Sequence, residues 1–271
     1  MRVTTTLPKA LALGLLLLVH VGCLKTDTVV KLRPDGSGTV EQTMLVNTEA
    51  FDGFAAMAGG DKGDGKVSSN IPTPSDMLDE AKLKDAAARL GPGVKFVSAT
   101  PLEDGKLKGA RAVFAFDDIN KVNVTSGGPS KESSNDAPMT FRMERRAGGT
   151  SVLTVRMPDR PDEISQGQAG EKTPPMPPQM LALFKPLFAD MRIGVALDLE
   201  GAIVKTNAAH VAGSRITLLD VDFGTLIGND GAFEKLMAMG PNAKMSDVAP
   251  VLKDIPGLKV QTSETVSVEF K

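Results

Sequence analysis

Apolar and polar positions alternate along most of this chain with the period of two that turns one face of a strand toward a core. Residues 28–32 and 39–46 flank Arg33-Pro34-Asp35-Gly36-Ser37-Gly38 and predict two strands joined at a Pro-Asp-Gly turn. In the second of these, Val40, Met44 and Val46 share one face, with Gln42 the polar exception on it. Residues 94–99 and 106–116 predict a second hairpin turning at Glu103-Asp104-Gly105, with Phe114 and Phe116 on one face. Residues 139–145 and 151–157 predict a third around Gly148-Gly149. Residues 192–200 alternate with Ile193, Val195, Leu197 and Leu199 on one side, and Gly201 turns the chain into 202–206. Thr217, Leu219, Val221 and Phe223 mark a strand over 214–223, and Val266, Val268 and Phe270 mark a C-terminal one.

Between these stretches the period changes to that of a helix. Asn47 or Thr48 caps a short helix with Phe51, Phe54, Ala55 and Ala58 on one side, and residues 59–71 are polar and glycine-rich, as in a loop. Thr73 followed by Pro74 predicts a helix start, Leu83, Ala86, Ala87 and Leu90 give its stripe, and Gly91-Pro92 ends it. A helical turn is expected at Asp117-Asp118-Ile119-Asn120. A helix over 179–190 is interrupted by Pro186. Asn229 or Asp230 caps another with Phe233, Leu236 and Met237, and a short one lies near 247–253. Hairpins alternating with helices predict an α+β fold, an antiparallel sheet built from hairpins with helices packed on one face. Six prolines fall within 158–178 among Gly, Gln, Asp and Glu, which makes this stretch a linker or exposed loop. It separates an N-terminal α+β region, 23–157, from a C-terminal one, 179–271, and the two can share one core.

The first 22 residues have a different character. Arg2 and Lys9 precede an apolar run over 10–21 that is short for a membrane-spanning helix and reads as a signal peptide. It stops at Gly22-Cys23, and Cys23 is the one cysteine of the chain, so no intramolecular disulfide can form. Removal of residues 1–22 leaves 29 basic and 33 acidic residues and a net charge near −4. That balance is unsuited to nucleic acid, whose phosphates need a concentrated basic face. Trp and Tyr are absent, so the aromatic belts of an outer-membrane barrel are missing.

Four patterns bear on chemistry. Residues 60–67 match most of a phosphate loop, but Val67 stands where the metal-binding hydroxyl belongs and Asp61 and Asp64 would repel phosphate, so a plain loop is expected. His210, the one histidine after the signal, sits in Asn207-Ala208-Ala209-His210 with no cysteine to join it, which disfavours a triad or a zinc site. Asp198 and Glu200 share a strand face, as do Asp220 and Asp222; paired, these strands would bring together four acids able to hold calcium or to act as paired carboxylates. The alternative is a solvated outer face opposite Val195, Leu197, Leu219 and Val221. Met180, Leu183, Phe184, Leu187 and Phe188, with Met191, form a wide apolar stripe. It suits either a helix packed on a sheet or, with adaptable methionines and a weakening Pro186, a ligand-facing lid.

Gly22-Cys23 after the apolar run resembles the lipobox of bacterial lipoproteins, with His20 where that pattern usually has leucine. The resemblance implies cleavage before Cys23, acylation of its thiol and amine with diacylglyceryl and palmitate-type chains, and handling by lipoprotein-processing and sorting machinery. Leu24, where an aspartate would argue for inner-membrane retention, favours the outer membrane facing the periplasm in a double-membraned cell. Cys23 through the Pro-Asp-Gly-Ser-Gly turn is similar to the opening of uncharacterised bacterial lipoproteins, and Lys205-Thr206-Asn207 and Ser214-Arg215-Ile216-Thr217-Leu218 are similar to segments of them. More distantly, the order of elements resembles LppM-type mycobacterial lipoproteins, whose domain is likened to lipid-binding helix-grip folds. No catalytic residue and no cofactor is implied. The leading expectation is a membrane-anchored, non-enzymatic lipoprotein whose domain binds an apolar ligand, such as a lipid, or an envelope protein. A structural or assembly role is the second, and a carboxylate-based enzyme or calcium-binding protein the third.

Overall fold

A computed structural model of the chain describes residues 24–47, 73–125, 138–158, 188–229, 231–239 and 245–271, together with Lys185. The signal segment, Cys23, the helix expected at 51–58, the glycine-rich stretch 59–71, the phosphate-loop likeness at 60–67 and nearly all of 158–178 lie outside the described residues.

The fold class is α+β. The alternating segments form β1 (Leu24–Leu32), β2 (Gly38–Val46), β3 (Lys95–Asp104), β4 (Leu107–Phe116), β5 (Asn123–Val124), β6 (Met139–Arg145) and β7 (Ser151–Arg156). After the proline-rich stretch come β8 (Arg192–Leu199), β9 (Ile203–Thr206), β10 (Val211–Ala212), β11 (Arg215–Asp222), β12 (Lys259–Val260) and β13 (Thr265–Phe270). The hairpins do not join into one antiparallel sheet. The larger sheet runs β10-β11-β8-β1-β2-β4-β3, with β12 beside β11, and the smaller runs β5-β6-β7-β13-β9. Within the larger sheet β1 and β8 are parallel, Val30 opposite Leu197. Parallel neighbours need a long crossover, and strands so far apart in sequence have one, whereas a tight turn permits only the antiparallel pairs that the hairpin pattern predicts. Residues 202–206 do form a strand, but it leaves the sheet of β8 at Gly201 and pairs with β13 in the other.

One apolar core is common to both sheets. Val30, Leu32, Val40, Phe114, Phe116, Leu197, Leu199 and Ile216 face it from the larger sheet, and Phe141, Leu153, Val155, Val266, Val268 and Phe270 from the smaller. It therefore draws residues from both sides of the proline-rich stretch. The Pro-Asp-Gly turn ties the two layers together. Asp35 accepts hydrogen bonds from the Ser37 backbone N–H (2.9 Å) and hydroxyl (2.6 Å), and Gly36 sits at φ +86°, where a side chain would be strained. The turn's carbonyls then accept from the smaller sheet and its flank: Pro34 from the Ser151 hydroxyl (3.1 Å), Asp35 from Arg145, and Gly36 from the Ile119 N–H (2.9 Å). Gly38 must also be glycine, since a Cβ there would come 1.9 Å from the Lys31 carbonyl oxygen.

The helices are α1 (Glu80–Leu90), α2 (Phe223–Ile227), α3 (Ala232–Met239) and α4 (Met245–Leu252). The expected start at Thr73 is a single 3-10 turn. Thr73 and Asp76 cap each other reciprocally, the Thr73 N–H donating to the Asp76 carboxylate at 2.9 Å and the Asp76 N–H to the Thr73 hydroxyl at 3.3 Å. The helix proper begins after Asp79, which accepts from the Lys82 N–H at 3.0 Å, because only from there do Leu83, Ala86, Ala87 and Leu90 fall on the core side. Asp222 ends β11 and caps α2 through the Thr225 N–H at 2.7 Å. A second apolar cluster joins α2, α3 and α4 to Val221 and Val260. A third, small cluster gathers Val46, Met77 and Ala110, with Leu24 and Met44 against it.

Candidate functional site

Three apolar clusters come together on the inner face of the larger sheet, and its rows can be read from strand register. The first row places Leu197, Val30, Val40 and Phe114 side by side. These are fully buried, as a sandwich core requires. The next row is Val195, Thr28, Gln42 and Ala112, and the one after it Ile193, Thr26, Met44 and Ala110. The strands and the alternation are unchanged, but Thr26, Thr28, Gln42, Ala110 and Ala112 now stand in them beside Val195, Ile193 and Met44. Thr26, Thr28 and Gln42 nonetheless keep only 8%, 5% and 8% of their surface exposed. They lie where the shared core ends, at Ala112 and Val195, and the third cluster begins, at Ala110 and Met44. From the β11 side Leu219 and Val221 bring the helical cluster to the same rows, opposite Val195 and Ile193.

The Gln42 side-chain oxygen is fully removed from solvent and accepts no hydrogen bond. An amide oxygen left so costs about 1–3 kcal/mol. Sequence reasoning registered Gln42 as an exception in an apolar stripe without drawing chemistry from it. The signal that could have done so was the same period applied to β1, where Thr26 and Thr28 fall on the face of Val30 and Leu32.

The outer face of the same sheet is charged, and its charges are matched. Glu41 lies between Lys31 (2.6 Å) and Arg111. Burial pushes its carboxyl up, and hydrogen bonds from those two cations more than offset this and hold it below the ordinary range. The four acids marked in the sequence are placed apart. Asp198 meets Arg215 at 3.2 Å and Glu200 meets Arg33 at 3.4 Å. Asp220 accepts both guanidinium N–H groups of Arg192, at 2.9 and 3.0 Å, while Asp222 is taken up as the α2 cap. Hydrogen bonding to Asp220 raises the Arg192 pKa against the opposing effect of burial, with Asp27 and Asp222 adding to it. Among the described residues no group of three or more His, Cys, Asp or Glu is arranged to hold a metal ion. His210 lies between β9 and β10, and its carbonyl accepts from the Thr217 N–H at 3.0 Å.

Of the apolar stripe, Phe188 is described: its ring lies 6.1 Å from Phe223 and 5.8 Å from Phe233, within the helical cluster. Lys185, three residues earlier, reaches Glu234 on α3 at 2.6 Å. Met180, Leu183, Phe184 and Leu187 lie outside the described residues, as does Cys23. Among the described residues no helix is long and apolar enough to cross a membrane.

No family model matches the chain. No curated protein matches it either. Among solved structures, the folded domain of the LppM protein of Mycobacterium tuberculosis, determined by NMR, is similar to it with a TM-score of 0.36 and 9% identity, over 92% of this chain and 90% of that one.

Proposed function

We propose that this chain is a bacterial lipoprotein, held at the cell envelope through acylated Cys23, whose domain binds an apolar ligand on the inner face of its larger sheet and carries out no catalysis. The observation that carries the reading is the change across that face, from a row of fully buried large side chains to rows in which Thr26, Thr28, Gln42, Ala110 and Ala112 stand beside Val195, Ile193 and Met44. A sandwich core is about 10 Å thick and is normally filled by large side chains, and small residues across adjacent strands fill less of it.

The anchor supports this placement. Leu24 opens β1 directly after Cys23, and Thr26 stands three residues from that cysteine, about 10 Å in an extended strand. On this reading an acylated Cys23 keeps the start of β1 close to the bilayer, the source of an apolar ligand. The stripe Met180, Leu183, Phe184, Leu187 and Phe188 is the proposed ligand-facing helix, and of these Phe188 packs with Phe223 and Phe233 in the helical cluster. A non-catalytic role fits carboxylates that each have a cation or a cap. An outer-membrane location facing the periplasm belongs to the same reading.

Mass spectrometry of lipids extracted from protein lacking residues 1–23 and secreted to the periplasm tests the ligand, because without Cys23 any lipid found is bound and not attached. A stoichiometric lipid is expected, and an empty folded domain would overturn the ligand reading. Labelled palmitate should enter the full chain and fail to enter Cys23→Ala. A partner-protein role has one observation in its favour: edge strands β3, β9 and β10 carry the exposed Val97, Val204 and Val211. Cross-linking in the native envelope tests it.

A further inference from the structure

We infer that the Gln42 carboxamide is the polar anchor of this site and that the ligand is an amphiphile carrying a hydroxyl at the junction of chain and headgroup. The inference rests on the ligand-binding reading above and specifies its chemistry. The Gln42 oxygen accepts nothing and is removed from solvent, although the residue stands on a central strand with Thr28 and Ala112 directly opposite on either side. An acceptor in that position calls for a donor. A ligand O–H would supply that donor, which a fatty acid ester or a hydrocarbon lacks. Around Gln42 the surfaces are apolar or hydroxyl-bearing: Val40 and Met44 along its own strand, Val195 and Ala112 across the row, Thr26 and Thr28 on β1. The residues named in those rows carry no charge, which suits a neutral headgroup. The chain of the ligand would lie toward the apolar clusters, and its hydroxyl would sit over β1 and β2.

Native mass spectrometry of the full chain released from detergent micelles, titrated with 1-monooleoylglycerol or with methyl oleate, separates the alternatives. Both probes carry the same chain and ester, but only the first donates. One molecule of monooleoylglycerol should bind at about tenfold lower concentration than methyl oleate, the worth of one desolvated hydrogen bond. In Gln42→Met, which keeps the length of the side chain and removes the amide, the monooleoylglycerol midpoint should rise to that of methyl oleate, with the methyl oleate midpoint unchanged. If neither probe binds the native chain, the ligand reading itself falls. If both bind with equal midpoints, the ligand reading stands and the anchor is refuted. Equal loss of both probes in Gln42→Met, or a lowered melting temperature with the preference intact, would assign Gln42 a structural role, such as holding a buried water. The preference of the native chain decides the matter even if the variant does not fold.

Discussion

The two halves of the inner face of the larger sheet share strands, register and alternation, yet they are built from different side chains. In the half under the smaller sheet, Leu32, Val40, Phe114 and Leu197 are completely buried against Leu153, Val268 and Phe270. In the half toward the start of β1, the next two rows of the same strands hold Thr28, Thr26, Gln42, Ala112 and Ala110 beside Val195, Ile193 and Met44. Strand formation asks only that one face be shielded from water, and both halves meet that condition. Filling a core asks for volume as well, and the first half supplies more of it from β1, β2 and β4. Burial and side-chain size are thus separable along one sheet, and the proposed function puts its ligand on the second half.

Truncation and enlargement should sharpen the contrast. Phe270→Ala and Phe114→Ala each remove a fully buried ring and should lower stability by about 3–5 kcal/mol, read from the urea midpoint at constant m. Enlargement should do the reverse of what uniform packing predicts. Ala87→Leu, on α1 in the shared core, should cost about 1–3 kcal/mol, as overpacking does. Ala112→Leu should cost less than about 1 kcal/mol and abolish lipid uptake, because the added methyls enter space meant for ligand. Equal costs at the two alanines would show that both halves are filled alike and would remove the ground for the comparison.

Much of the first half was legible in the sequence. The three hairpin turns fall at Gly36, Gly105 and Gly148-Gly149, all at positive φ, where the turn residues put them. Phe114 and Phe116 share the core face as their spacing requires. What the pattern could not give was pairing between distant strands. The alternation of β1 and β8 is the same whether they run parallel or antiparallel, and nothing local in 203–206 says which sheet receives it. For the same reason the site stayed hidden: Gln42 reads as one blemish until β1 and β4 lie beside it and add Thr28 and Ala112 to its row. The acids were legible as residues and not as partners, because Arg192 and Arg215 reach them across strands whose register the sequence does not state.

The matched outer face offers a smaller test. Glu41 is the best shielded carboxylate of its ladder, with 15% of its side chain exposed, and it serves two cations. Glu41→Gln should cost about 1 kcal/mol, measured by thermal unfolding, and the cost should shrink in high salt because Lys31 and Arg111 are open to solvent. The corresponding change on the inner face, Gln42→Met, should instead leave stability unchanged or raise it, since it removes an acceptor that nothing satisfies.

The smallest effect is expected at the edge of the second half. The Asp76 carboxyl is pulled down from its ordinary 3.8 to about 2, first by its hydrogen bond from Lys82 and then by those from Thr73. A carboxyl whose folded value lies below its unfolded one adds stability that is complete above the unfolded pKa and lost as pH falls through the folded one. The reciprocal cap with Thr73 should therefore loosen between pH 4 and pH 2. That cap holds Met77, which covers Val46 and Ala110. Hydrogen exchange corrected for intrinsic rates should show protection falling at the amides of Met77 and Leu78 over that interval while Leu153 and Phe270 stay protected. Asp76→Asn should give the same local loss at neutral pH. Protection lost equally at Met77 and Phe270 would mean that the two halves open as one unit, and the ligand face would then have no independent edge through which to exchange.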